Sequence, residues 1–198
     1  MDSCFRNSVT HLFIVLLLPV ISIPCLAAPG SATSTEFIRT SCAATSYPAL
    51  CYTSLSIHAN AIQKNPKILA HTALSVSLFT AKKTSSSILS LSNTPGLKPR
   101  EVGAMKDCIE EMAESVEQMH KSLSEMDSFR EAEFQMMISD VQTWVSAALT
   151  YEDTCTDGFS GKVMNGKVKT AVRGNILKIV HLTSNALALI NNYALVHG

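Results

Sequence analysis

The sequence carries no surplus charge: 16 Lys and Arg stand against 16 Asp and Glu in 198 residues. Nucleic-acid binders ordinarily show a basic excess, so that class loses its electrostatic basis. The chain also lacks the catalytic spacings that can be recognised locally. There is no GxSxG, no HExxH and no Gly-rich phosphate loop. Nucleophilic hydrolysis, zinc-dependent hydrolysis and nucleotide binding therefore have no motif to rest on. The stretch GKVMNGK at Gly161 has neither the spacing nor the preceding strand of a P-loop. No CxxC pair and no HxxxH pair occurs, which removes the usual zinc ligand sets. No Asn-x-Ser/Thr sequon follows residue 30, so no N-glycan is expected. Alternating β-branched runs bounded by turn residues are missing, so no strand is expected. Disorder is excluded in turn, because 46% of residues are hydrophobic.

The zero is a sum of unequal parts. From Phe37 to Arg100 there are seven bases and no acid. From Glu101 to Asp157 there are fourteen acids and three bases, and from Gly158 to Gly198 five bases and no acid.

The first 28 residues read as a secretory signal peptide. Arg6 precedes the apolar run Leu12–Leu18, and small residues follow at Cys25, Ala27 and Ala28. Pro19 and Pro24 interrupt the run, which falls well short of the roughly 20 residues a spanning helix needs. Cleavage is expected near Ala27 or Ala28. A secreted protein without a membrane anchor follows, with residues 29–198 as its mature domain.

Removing that segment takes Cys4 and Cys25 with it and leaves Cys42, Cys51, Cys108 and Cys155. An even set in an oxidising compartment reads as two disulfides, with three possible connectivities.

The mature chain reads as all-α. Val102, Met105, Ile109, Met112, Val116, Met119, Leu123 and Met126 recur at alternating steps of three and four, which is one face of a long helix. A methionine stripe of this kind is core, not a cofactor box. Asn65-Pro66 places a cap before a proline at the first helical position. The helix it starts runs to about Asn93-Thr94-Pro95-Gly96. Ser139-Asp140-Val141-Gln142 has the form of a capping box, with Phe134–Ile138 as a preceding turn or an extension of the same helix. A last helix runs from about Lys167 to Tyr193, with Val172, Ile176, Ile179, Thr183, Ala186 and Ile190 on one face and Leu177, Val180 and Leu187 widening it. Gly174 inside it marks a close approach of a neighbouring helix, since glycine there costs about 1 kcal/mol.

Four such helices with short links form an up-and-down four-helix bundle over 65–196. A short N-terminal helical hairpin precedes it over 34–62, with limbs at Thr35–Cys42 and Tyr47–Ile62. Cys42 and Cys51 flank the Tyr47-Pro48 turn and can close that hairpin. Cys108 and Cys155 lie on successive helices and can staple them. The acidic segment reads as a solvated helix face, so no catalytic residue, cofactor or metal is expected, and function is expected in a surface.

The order of a signal peptide, Cys42-x8-Cys51 and a long gap to Cys108 and Cys155 resembles the plant invertase and pectin methylesterase inhibitors. SDVQTWVSAALTYEDTCTDGF, from Ser139 to Phe159, carries the resemblance most strongly and points to the methylesterase branch. FIRTSC, YPALC and NPKILAHTALSVSL add to it. The resemblance spans nearly the whole mature chain. It implies Cys42–Cys51 and Cys108–Cys155 pairing, a place in the apoplast and cell wall, and one-to-one binding that blocks the cleft of pectin methylesterase. The invertase branch typically carries Pro-Lys-Phe between its third and fourth cysteines. This chain has no proline between Cys108 and Cys155, and its Pro66-Lys67-Ile68 lies elsewhere. Acid invertase stays as the alternative partner.

The resemblance also implies contact through the central bundle helices, at Lys83, Thr84, Glu110, Glu114, Asp140 and Thr143. An acidic helix on that surface would steer toward a basic enzyme. A rival use of the charge is that the basic segments hold pectin, a polyanion of the wall.

Overall fold

The structure, a computed structural model, describes residues 29–128, 131–160 and 166–197. The signal segment and its cleavage point at Ala27 or Ala28 lie outside the described residues. Helix α1 spans Pro29–Ala43, α2 Pro48–Leu55 and α3 Ala59–Ile62, with a 3-10 turn at Ser56–His58 between the last two. The long helices are α4 Pro66–Ser92, α5 Pro99–Ser128, α6 Phe134–Gly158 and α7 Lys167–His197. The hairpin therefore begins earlier than its sequence pattern indicates. Its second limb is also not one helix: Ala59 N–H turns back to the Ser56 carbonyl and breaks it.

Each long helix packs on the next, and α7 closes the ring against α4. The hairpin folds on itself through α1, α2 and α3 and sits on α4 and α7 through α2. Cys42–Cys51 ties the hairpin across its turn, with Cα atoms 5.5 Å apart. Cys108–Cys155 ties α5 to α6, with Cα atoms 4.4 Å apart.

Local chemistry explains the helix starts. Asn65 Oδ1 accepts the Ile68 N–H at 3.2 Å, and Pro66 takes the first position, where its missing N–H costs nothing. Helix α5 starts after the Thr94–Lys98 link, where Gly96 holds the left-handed φ of 84° that the turn requires. The Lys98 N–H then donates to Glu101 Oε2 at 2.8 Å, the carboxylate half of a capping box.

The Ser139 box does not cap α6. That helix starts at Phe134, so Ser139 lies inside it, exposed, and its carbonyl accepts the Thr143 hydroxyl at 2.8 Å. Gln142 Nε2 reaches across to Asn191 Oδ1 of α7 at 2.9 Å instead of back along its own chain. Burial overrides the local signal here. Phe134, Met137 and Ile138 are all in the core, with Phe134 edge-on to Tyr193 at 5.4 Å.

The α5 seam is also shifted. Its fully buried line is Met105, Cys108, Met112, Ser115, Met119, Ser122 and Met126. Ile109, Val116 and Leu123 pack only partly buried beside it. Small side chains thus alternate with methionine on the inner edge, which lets neighbouring helices approach. Val102, placed on the seam by its spacing, is 51% exposed. In α7 the expected face is buried, but Leu177 is exposed and Leu182 and Leu189 widen the face on the other flank. Gly174 marks no close approach: a Cβ built there meets nothing within 4 Å.

Candidate functional site

The ring order turns the segregated charge into a two-sided molecule. The acid-free stretch 37–100 supplies α2, α3 and α4, and the acid-free stretch from Gly158 supplies α7. The acids lie on α5, α6 and the link between them. Because α5 packs on α6 and α4 on α7, one half of the bundle is acidic and the other basic. Contacts at the seam include histidine–carboxylate pairs: His71 Nε2 lies 3.0 Å from Asp127 Oδ1, and His197 Nε2 lies 3.0 Å from Glu131 Oε1.

The six contact candidates do not form one patch. Glu110 and Glu114 are exposed on α5, with Lys106 Nζ 3.9 Å from Glu110 Oε1. Thr143 is exposed and Asp140 half-buried on α6. The Ser115–Glu152 hydrogen bond fixes the register of α5 against α6. Thr143 therefore sits about eight to ten residues along α6 from the level of Glu114, or ~12–15 Å at ~1.5 Å per residue. Lys83 is exposed, but it lies one turn beyond Phe79, with Nζ 6.0 Å from that ring. Phe79 faces the groove between α4 and α7, which puts Lys83 on the basic half and away from Glu114.

Thr84 is not a surface residue. It is 7% exposed, on the buried stripe between Ala81 and Ile88. Its position three and four residues from those two apolar neighbours carries the signal for burial.

The acidic segment contains one carboxyl that is not solvated. Glu152 is fully buried where α5, α6 and α7 meet. The Ser115 and Thr183 hydroxyls both donate to its Oε1, at 2.9 and 3.0 Å, while Oε2 has no hydrogen-bond partner among the described residues. Burial pushes its pKa up to about 8, against the two hydroxyls that pull it down. Glu152 continues the buried series Val141, Val145, Ala148 toward Cys155 at steps of four, three, four and three. That periodicity was the signal available in the sequence.

A second feature is legible only on the folded helix. Thr143, Ser146, Thr150 and Thr154 form an exposed ladder on α6. Each hydroxyl donates to the carbonyl four residues back, at 2.7 to 3.0 Å. The ladder is made of short side chains whose hydroxyls are already held by the backbone.

Comparisons with known proteins agree with this architecture. The family model described as "Plant invertase/pectin methylesterase inhibitor" matches residues 36–189. The "21 kDa protein" of Daucus carota is 46% identical over 175 residues, covering 87% of this chain and 91% of its own. "Pectinesterase inhibitor 11" of Arabidopsis thaliana is 44% identical over 191 residues, covering 92% and 95%. A crystal structure of a mutant pectin methylesterase inhibitor from Arabidopsis superposes with a TM-score of 0.64 at 24% identity, over 78% of this chain and 95% of that one, which speaks for the fold.

Proposed function

Because the chain belongs to the plant invertase/pectin methylesterase inhibitor family, we propose that it is a secreted protein that inhibits pectin methylesterase in the plant cell wall. It binds one-to-one and lies across the substrate cleft. The observation that carries the reading is the near-complete coverage of relatives named as pectinesterase inhibitors, at 44% identity over 95% of one such chain. Residues 29–198 act as a single unit, the hairpin supporting the bundle.

The physics of occlusion fits the bundle. A binder that is rigid before contact loses little conformational entropy on docking. Here Cys108–Cys155 and the buried Ser115–Glu152–Thr183 junction fix α5, α6 and α7 against one another. The contact surface is the acidic half, with Glu110 and Glu114 near its stapled end and Asp140 and Thr143 toward the other. The short hydroxyl ladder between those ends lets a partner surface approach the α6 backbone. The carboxylates raise the encounter rate with a basic enzyme more than they raise final affinity.

The test is direct. Oxidised, folded protein is added to plant pectin methylesterase and, separately, to acid invertase, and residual activity is read. Loss of methylesterase activity at one equivalent, with invertase untouched, is the expected outcome. Loss of invertase activity alone would transfer the function to the other branch of the family.

A further inference from the structure

A concavity lies on the basic half, with no lining residue from α5 or α6. It is a groove of about 710 Å³ walled by α2, α4 and α7, within the size range of small-ligand sites. Ile57 is 79% exposed at one edge and Phe79 67% exposed at the other. Two large apolar side chains bared on opposite sides of one groove form a patch rather than scattered exposure. Among the described residues no carboxylate lines the groove, and all three walls come from stretches of chain without an acid. Lys178 lines the α7 wall, His58 and His71 line the others, and the Lys83 ammonium stands beside Phe79. His71 Nε2 faces the Asp127 carboxylate of α5 at 3.0 Å, so the lysines supply the field.

We infer that this groove binds an acidic oligosaccharide, a short run of uronate residues. Each part of the wall meets one part of such a ligand. The C–H face of a pyranose ring lies on the exposed ring of Phe79. The uronate carboxylate meets the ammonium groups of Lys178 and Lys83. The sugar hydroxyls meet side chains such as Ser75 and Thr72, which also line the wall. An acidic amphipathic helix is a poorer fit. Such a partner needs a continuous trough for apolar residues at i, i+3, i+4 and i+7, whereas Thr72, Ser75 and Thr80 alternate with Val76 and Phe79 along the α4 wall. The choice of uronate over other acidic sugars rests on the reading that the protein works on pectin. The groove faces away from the acidic half, so a polysaccharide and a protein partner can be held together. Demethylesterified pectin is the product of the enzyme the protein is proposed to block, and binding it would anchor the inhibitor where that enzyme has acted.

The experiment uses the full oxidised mature chain and fluorescently labelled trigalacturonate, read by anisotropy, with polygalacturonate and fully methyl-esterified pectin as competitors. Polygalacturonate should compete and the methyl ester should not. Affinity should fall as ionic strength rises from about 0.01 M to about 0.15 M. Phe79→Ala and Lys178→Glu, both on exposed side chains, should each weaken binding by about tenfold, equivalent to ~1.4 kcal/mol. Lys121→Glu makes the same charge change on α5 and should alter affinity less than about twofold. Absent binding, equal loss in Lys121→Glu, or competition by poly-glutamate as strong as by polygalacturonate would overturn the inference. Methylesterase inhibition by Phe79→Ala and Lys178→Glu is measured alongside. Retained inhibition with lost uronate binding supports the groove. Inhibition lost in both variants would show that the face serves the enzyme instead.

Discussion

Asn185 of α7 holds Tyr47 by both of its backbone polar groups: its Oδ1 accepts the Tyr47 N–H and its Nδ2 donates to the Tyr47 carbonyl, each at 3.0 Å. The Tyr47 ring stacks on His181 one turn earlier, centroids 3.6 Å apart. A buried amide thus completes the backbone hydrogen bonding of the hairpin turn. Removing it strips the Tyr47 N–H of this acceptor, at about 1–3 kcal/mol if it stays dry, while the Tyr47 carbonyl keeps the Cys51 N–H at 2.9 Å. Asn185→Leu should lower the melting temperature and raise amide exchange through 44–62 while α5 and α6 keep their protection. Uniform loss of protection across the bundle would contradict a local clamp.

Glu152 makes stability depend on pH in a direction opposite to that of most carboxylates. Its folded pKa, about 8, lies above the ordinary glutamate value of 4.5, so the folded state holds a proton that the unfolded chain releases. Its contribution is fully present below pH 4.5 and declines as pH rises toward 8, at ~1.4 kcal/mol per pH unit inside that window. Glu152→Gln keeps the shape and cannot ionise. Its melting temperature should fall less than that of the wild type between pH 5 and pH 8. Parallel profiles for the two proteins would refute the buried acid.

The two disulfides should fail differently. Cys108–Cys155 spans 47 residues and Cys42–Cys51 spans 9, which on the chain-entropy model gives about 4 and about 3 kcal/mol. Cys108→Ala with Cys155→Ala should lower the melting temperature of the whole bundle. Cys42→Ala with Cys51→Ala should mainly expose 34–62 to protease, because the hairpin has little core of its own. Limited proteolysis with mass analysis separates the two.

At the proposed contact surface, Glu114→Lys should slow association with methylesterase and flatten its salt dependence, with stability within about 0.5 kcal/mol of wild type. Thr84→Lys should instead cost about 2 kcal/mol or more, because it places an ammonium on a buried stripe. Stopped-flow association beside thermal melts distinguishes these effects. A Thr84→Lys protein that melts normally and only binds poorly would return Thr84 to the surface.

The helices, their order and most of their inner faces are legible in the sequence because burial imposes a period that spacing reveals. Asn65 and Pro66 mark one start without ambiguity. The Ser139 box is equally clear locally and is overruled, since Phe134, Met137 and Ile138 gain more by burial than a cap supplies. Ser115, Ser122, Thr84 and Glu152 sit at inner positions on polar side chains, so a search for apolar residues passes over them. Lys83 and Glu114 both belong to exposed helix faces, and spacing within one helix cannot say that those faces point to different halves of the bundle. The Phe79 groove needs three elements distant in sequence, and no local pattern announces it.

The seven-residue recurrence of methionine on α5 has a chemical consequence wherever the protein meets peroxide. Met105, Met112, Met119 and Met126 are at most 1% exposed, whereas Met136 is 63% exposed. Thioether oxidation needs contact with the oxidant, and a sulfoxide in a packed core is polar and disruptive. The outer thioether is consumed first and harmlessly. The inner four react only when the bundle breathes, so their sulfoxide content keeps a cumulative record of how often it has opened.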